Sequence, residues 1–186
     1  MTPTEELMHE HQAILLMLRI LERICQRLES RQSVCAEDLQ RIVEFIQVFA
    51  DRCHHSKEED LLFVAMEHAG IPRHGGPIEV MIHEHEQGRD CIRGLANSVA
   101  KHRAGNTEAA AQIVLNAREY IRLLSDHIDK EDNVLYPLAD RFLSKETQRK
   151  LLKDFDDVER RRIGPGKHEE FHTLLESLKH RYLEDA

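Results

Sequence analysis

The chain has 186 residues, 32% charged and 41% hydrophobic; that balance suits one folded domain with its own core and excludes a disordered chain. Lys and Arg total 26 against 34 Asp and Glu, a formal net charge of −8. Nucleic acids and anionic membranes, which are bound by clustered positive charge, are therefore not expected partners. No apolar run reaches the roughly 20 residues of a bilayer span, and residues 1–6 show no basic, apolar leader. Cys25, Cys35, Cys53 and Cys91 are scattered without a CxxC pair, which fits reduced thiols in a cytoplasmic protein. With 13 His and no Trp, the placement of the imidazoles becomes the informative question.

Strand-like alternation is nearly absent, and apolar residues recur at three and four, so the fold class is all-α. Helix 1 is predicted from about Pro3 to Ser30, with Thr2 as N-cap, Pro3 at N1 and Glu5 completing a capping box. Its inner stripe is Leu7, His11, Ile14, Leu18, Leu21, Cys25 and Leu28. Helix 2 runs from about Ala36 to Ala69, with Leu39, Val43, Ile46, Ala50, His54, Glu58, Leu61 and Ala65 inside. Helix 3 follows Gly75-Gly76-Pro77 to about Arg103, with Ile78, Met81, His85, Gly88, Ile92, Leu95 and Val99 inside. Helix 4 starts after the Gly105-Asn106 turn and reaches about Leu143. Its stripe is Ile113, Ala117, Tyr120, Leu124, His127, Glu131, Val134 and Leu138, and Pro137 bends its last turns. Four long helices with short connections predict an antiparallel up-down four-helix bundle over residues 1–143, built from two hairpins. Residues 144–186 read as a helical extension packed on the bundle within a single domain. Ser144 caps a helix to about Asp157, Gly164-Pro165-Gly166 turns the chain, and a last helix carries Phe171, Leu175, Leu178 and Tyr182 on one face.

Each inner stripe of the four long helices carries one histidine: His11, His54, His85 and His127. Two carry a glutamate one turn later, Glu58 and Glu131. An unpaired carboxylate buried in a core costs several kcal/mol, so this layer calls for a compensating partner, of which a pair of cations is the simplest. An internal repeat supports the grouping. His11 and His85 are 74 residues apart, and His54 and His127, like Glu58 and Glu131, are 73 apart. The neighbours repeat as well: His-Glu-His at 9–11 and 83–85, and Lys-Glu at 57–58 and 130–131. Each inner His lies about 28 Å along its helix from the hairpin turn, so all six side chains can meet in one layer.

The pattern His…His-x-x-x-Glu…His…His-x-x-x-Glu resembles a hemerythrin-like (HHE cation-binding) domain. His54-His-Ser-Lys-Glu-Glu-Asp-Leu-Leu-Phe, Glu84-His-Glu-Gln-Gly-Arg and His127-Ile-Asp-Lys-Glu-Asp-Asn-Val-Leu-Tyr-Pro carry the likeness over about residues 5–143. The resemblance implies a non-haem di-iron centre bridged by glutamates, and chemistry with dioxygen, peroxide or nitric oxide. Oxygen-carrying hemerythrins have a fifth histidine where this chain has Met81. They also end in His-x-x-x-x-Asp, a spacing that Asp132 keeps from His127, although Glu131 holds the stripe and repeat position. Fewer nitrogen donors favour a reactive centre over a reversible oxygen carrier.

Imidazole with carboxylate suits iron, manganese or zinc. Two irons are the expected cofactors, with Mn or Zn as substitutes, and O2, H2O2 or NO as small-molecule ligands. The expected function is protection against oxidative or nitrosative stress, with the metals carrying the reaction and no protein nucleophile required, and with catalase- or peroxidase-like turnover as one form of it. A sensing or storage module that takes up O2 or iron without turnover is the alternative, and a hydrogen-bonded polar layer without metal is a third. His55 and Glu59 form a rival i,i+4 pair beside His54 and Glu58; stripe and repeat assign them a supporting role around the ligands. His9 and His83 read as exposed, His168 and His172 as a solvated or capping pair, and Cys53 as a packed thiol.

Overall fold

A computed structural model describes residues 1–164 and 166–184. Among them the chain is all-helical, with six helices and no strand. Helix α1 spans Pro3–Glu29. Thr2 Oγ1 accepts from the Glu5 N–H at 3.2 Å and the Thr2 N–H donates to Glu5 Oε2 at 2.8 Å, so both halves of the capping box form. Helix α2 begins as Ala36–Phe45, winds on through π-helical turns at Ile46–His55 and Glu58–Leu62, and ends as Phe63–His68. Helix α3 spans Pro77–Arg103. Helix α4 starts as Ala109–Lys130, passes through a π-helical turn at Glu131–Leu135 and ends as Tyr136–Phe142. Gly70 and Gly105 follow α2 and α3 with φ of 95° and 92°, the left-handed exit from a helix that a side chain disfavours. No described helix is long and apolar enough to cross a membrane.

α4 lies along both α1 and α3, and α2 packs on α3. Their inner faces build two apolar clusters. The larger includes Ile14, Leu18, Leu21, Phe45, Leu95, Ile113 and Leu124. The smaller includes Leu7, Leu62, Phe63, Met66, Ile78, Met81, Leu135 and Tyr136. Along each of α1 to α4 the inner histidine falls between a residue of one cluster and a residue of the other. The polar layer is therefore closed by hydrocarbon above and below.

The π-helical turns correct part of the predicted stripes. Val134 is 57% exposed and Leu61, Ala65 and Leu138 are only half-buried, whereas Leu62, Phe63, Met66, Leu135, Tyr136 and Ala139 are buried. A turn closed by i→i+5 bonds takes one more residue than an α turn. One such turn follows each His-x-x-x-Glu start, at Glu58–Leu62 and at Glu131–Leu135, so the apolar face slips by one residue in both α2 and α4.

The extension forms two helices. Helix α5, Lys145–Arg162, runs about a turn beyond the predicted Asp157 and is capped by Ser144, whose Oγ accepts from the Thr147 N–H at 3.2 Å. Its Leu151 and Phe155 join the smaller cluster. Of the expected Gly164-Pro165-Gly166 turn, Pro165 lies outside the described residues. Helix α6, Lys167–Lys179, continues into a π-helical turn at His180–Glu184. Phe171, Leu174, Leu175, Leu178 and Tyr182 enter the larger cluster, and Tyr182 O–H donates to Asp38 Oδ2 at 2.7 Å. Phe171 meets the Phe45 ring edge-on, with centroids 5.3 Å apart. Phe171→Ala should therefore lower unfolding stability by about 3–5 kcal/mol, read as a fall in the urea midpoint; a shift within experimental error would show that α6 is not integral to the core.

Candidate metal centre

All six predicted donors are buried, none more than 1% exposed, and they converge. Ligand atoms of His11, His54, Glu58 and Glu131 lie within 4.8 Å of one another. A second group of the same tightness joins His85, His127 and Glu58 with His55, and Glu131 Oε1 is 3.1 Å from His127 Nε2. Glu58 and Glu131 thus stand between two pairs of imidazoles, one from each half of the repeat.

Every imidazole is aimed by an outer carboxylate. His54 Nδ1–H donates to Glu10 Oε2 at 2.8 Å and His127 Nδ1–H to Glu84 Oε2 at 3.0 Å. His11 Nδ1–H donates to Asp132 Oδ1 and His85 Nδ1–H to Glu59 Oε1, both at 2.7 Å. An ionised carboxylate only accepts, so the proton in each contact belongs to Nδ1. The Nε2 atoms then turn inward, where His11 faces His54 and His85 faces His127, each pair 3.0 Å apart. Two lone pairs at that distance repel unless a proton or a cation lies with them.

The glutamates pose the same problem with the opposite sign. Glu58 Oε1 accepts from Tyr136 O–H at 2.7 Å, but Glu58 Oε2 and both oxygens of Glu131 are buried without a hydrogen bond. Such orphaned anionic oxygens are costly. Protons on the imidazoles relieve both strains in the metal-free chain. Burial opposes charge on His11, yet Asp132 and Glu131 raise its pKa to about 9; burial opposes it on His127 too, yet Glu131 and Glu84 raise it to about 10. Burial would push Glu131 up, but the charges of His127 and His11 hold it well below the carboxylate range. A layer of inward lone pairs and unbonded carboxylate oxygens that must borrow protons is a donor set that divalent cations fit.

A stripe-based reading passes over several supporting residues. Glu10 and Glu84 each precede a ligand-position histidine, and the 74-residue repeat of His-Glu-His is the signal that pairs them. Lys57, fully buried, donates to Glu10 Oε1 at 2.6 Å and Glu6 Oε1 at 2.9 Å; Lys130 pairs with Glu84 in the equivalent place. Burial alone would raise the Glu10 carboxyl, and His54 with Lys57 brings it down to about 2. Glu59 takes the outer role expected of it. His55 does not stay outside: it is 4% exposed, its ring stacks on His85 with centroids 3.9 Å apart, and it adds a fifth imidazole to the layer. The π-helical winding of Ile46–His55 brings two consecutive histidines inward. His9 and His83 are exposed, Cys53 is buried with its thiol pushed up to about 12 by that burial, and half-buried His168 stands near Glu10 and Glu159 beyond the main layer.

The chain is 26% identical over 163 residues to an uncharacterized protein of Mycobacterium tuberculosis, covering 88% of this chain and 63% of that one. It is 39% identical over 90 residues to the iron-sulfur cluster repair protein YtfE of Dickeya chrysanthemi, covering 46% and 40%. With the protein of that name from Musicola paradisiaca it shares 29% over 134 residues, covering 69% and 59%. The chain therefore spans less than two thirds of the length of these curated relatives. No solved structure matches it. The Hemerythrin HHE cation binding domain matches residues 2–139, a stretch that includes all six inner donors, and the chain belongs to that family.

Proposed function

We propose that the chain holds a non-haem di-iron centre that binds or reacts with O2, H2O2 or NO in protection against oxidative or nitrosative stress. One observation carries this reading: the two facing Nε2 pairs, each 3.0 Å apart, with every Nδ1 already committed to a carboxylate. His11 and His54 would hold one ion, His85 and His127 the other, and Glu58 and Glu131 would serve both. Bound iron would supply electron transfer and open positions for a small ligand. The rest is the work of the chain. The outer carboxylates fix the tautomer of each imidazole and its direction. The two apolar clusters keep bulk water from the layer. Tyr136, its phenol kept protonated by burial and by Glu131 and Glu58, orients Glu58 through its O–H. Likeness to proteins named for iron-sulfur cluster repair supports a stress-related role. In this reading residues 1–143 make an antiparallel up-down four-helix bundle, and residues 144–186 extend the same domain.

Anaerobic loading with ferrous iron should give about two irons per chain by metal analysis. His54→Ala and Glu131→Ala should hold at most one tightly, and Glu84→Ala should weaken retention by roughly 10–100-fold. A wild-type protein that retains no iron would overturn the assignment.

Proton and metal occupy the same Nε2 atoms, so pH dependence follows with a definite sign. The folded-state pKa values of His11 and His127 lie above the ordinary 6.5, at about 9 and about 10. Their charge therefore stabilises the metal-free fold fully below pH 6.5, and that stabilisation is lost as pH rises to about 10. Thermal melts of the metal-free protein should show Tm falling across this window, while the metal-loaded protein holds its Tm. Iron uptake should release protons at pH 7, measurable with an indicator dye.

A further inference from the structure

A cavity of about 250 Å³ opens between α2 and α3, above Tyr120 of α4. His55 belongs both to its wall and to the inner donor group with Glu58, His85 and His127. His55 is the residue that the two have in common, which places it between them. Asp51 Oδ1, 3.3 Å from His55 Nδ1, holds the ring at its edge. Asp51 also accepts from Arg89 Nε at 2.8 Å, and Arg89 Nη2 donates to Glu59 Oε1 at 2.6 Å, the carboxylate that aims His85. The cavity wall is thereby tied to the donor layer on both sides of His55.

The wall has two further properties. It gathers three guanidinium groups, Arg52, Arg89 and Arg93, against the single carboxylate of Asp51, although the chain as a whole is acidic. Arg89 is neutralised by Asp51 and Glu59, and Arg93 pairs with Asp90; Arg52 is exposed and makes no ion pair among the described residues. The second property is room. Gly88 is buried on the inner stripe of α3, where a Cβ would meet only Tyr120 Cε2, at an ordinary 3.7 Å. A larger side chain there would extend into the cavity.

We propose that this cavity is the entrance and outer binding subsite of the metal centre for a small inorganic anion, with Arg52 drawing the anion in and His55 positioned as the shutter before the metals. The proposal rests on the di-iron reading above and adds to its uncharged ligands, O2, H2O2 and NO, a small anion and its route to the metals. Electrostatic attraction of this kind raises association rates and weakens with ionic strength.

The test uses azide, a small anion, followed by its charge-transfer band in stopped flow with the full chain loaded with iron and then oxidised to the ferric state, iron content being measured on each sample. Gly88→Leu should retain its iron and slow azide association by at least about tenfold. Arg52→Glu, a surface change that leaves packing intact, should slow it several-fold at low salt and lose that difference at high salt. His55→Ala should speed association. Wild-type rates in Gly88→Leu and His55→Ala with iron retained would overturn the route, and a wild-type rate in Arg52→Glu at low salt would overturn the anion assignment. Failure of the wild-type chain to hold iron would instead fall on the di-iron reading. Should Gly88→Leu not fold, His55→Ala decides the route.

Discussion

The imidazole–carboxylate contact is the constraint on which the rest depends. Each of the four inner histidines donates a hydrogen bond from Nδ1–H to an outer carboxylate, which leaves Nε2 as an inward acceptor. The pairings also interlock the two halves of the repeat. Asp132 on α4 aims His11 on α1, and Glu59 on α2 aims His85 on α3. Neither half of the repeat therefore aims all of its inner histidines without an acid from the other.

The approximate symmetry is broken by the extension. Lys57–Glu10–His54 and Lys130–Glu84–His127 are equivalent chains of contacts. Lys57 is wholly buried, whereas Lys130 is 43% exposed. The difference comes from α5, which lays the Phe155 ring 5.5 Å from Lys57 Nζ and brings Glu159 to 3.6 Å. A buried ammonium among three carboxylates is tolerated because each charge is paired, and it ties α1, α2 and α5 together beside His54.

Much of this was legible in the chain. The capping box, the helix starts at Pro3, Ala36 and Pro77, and the six inward donors follow from spacing, because an α-helix maps sequence onto faces in a fixed way. The family likeness rests on those same donors. What spacing could not show is a change of winding. The π-helical turns rotate Val134 outward and Leu135 and Tyr136 inward, and no residue in those turns announces it as a glycine or proline announces a break. The supporting acids were harder still: Glu10 and Glu84 sit one position off the stripe, and only the partner helix reveals what they touch. Spacing places His55 at the periphery because an ideal α-helix cannot bury both members of a consecutive pair equally well.

The donors and the apolar residues beyond them face one interior, yet the sequence sets one residue more between them than an α turn holds. The wide turns at Glu58–Leu62 and Glu131–Leu135 take up that residue, so that Phe63 and Tyr136 stay inside behind Glu58 and Glu131. It follows that these segments carry slack: a chain shortened there by one residue could close the turn with i→i+4 bonds and keep Phe63 or Tyr136 in the interior, while exchanging Leu61 or Val134 for another side chain would leave the donor layer in place.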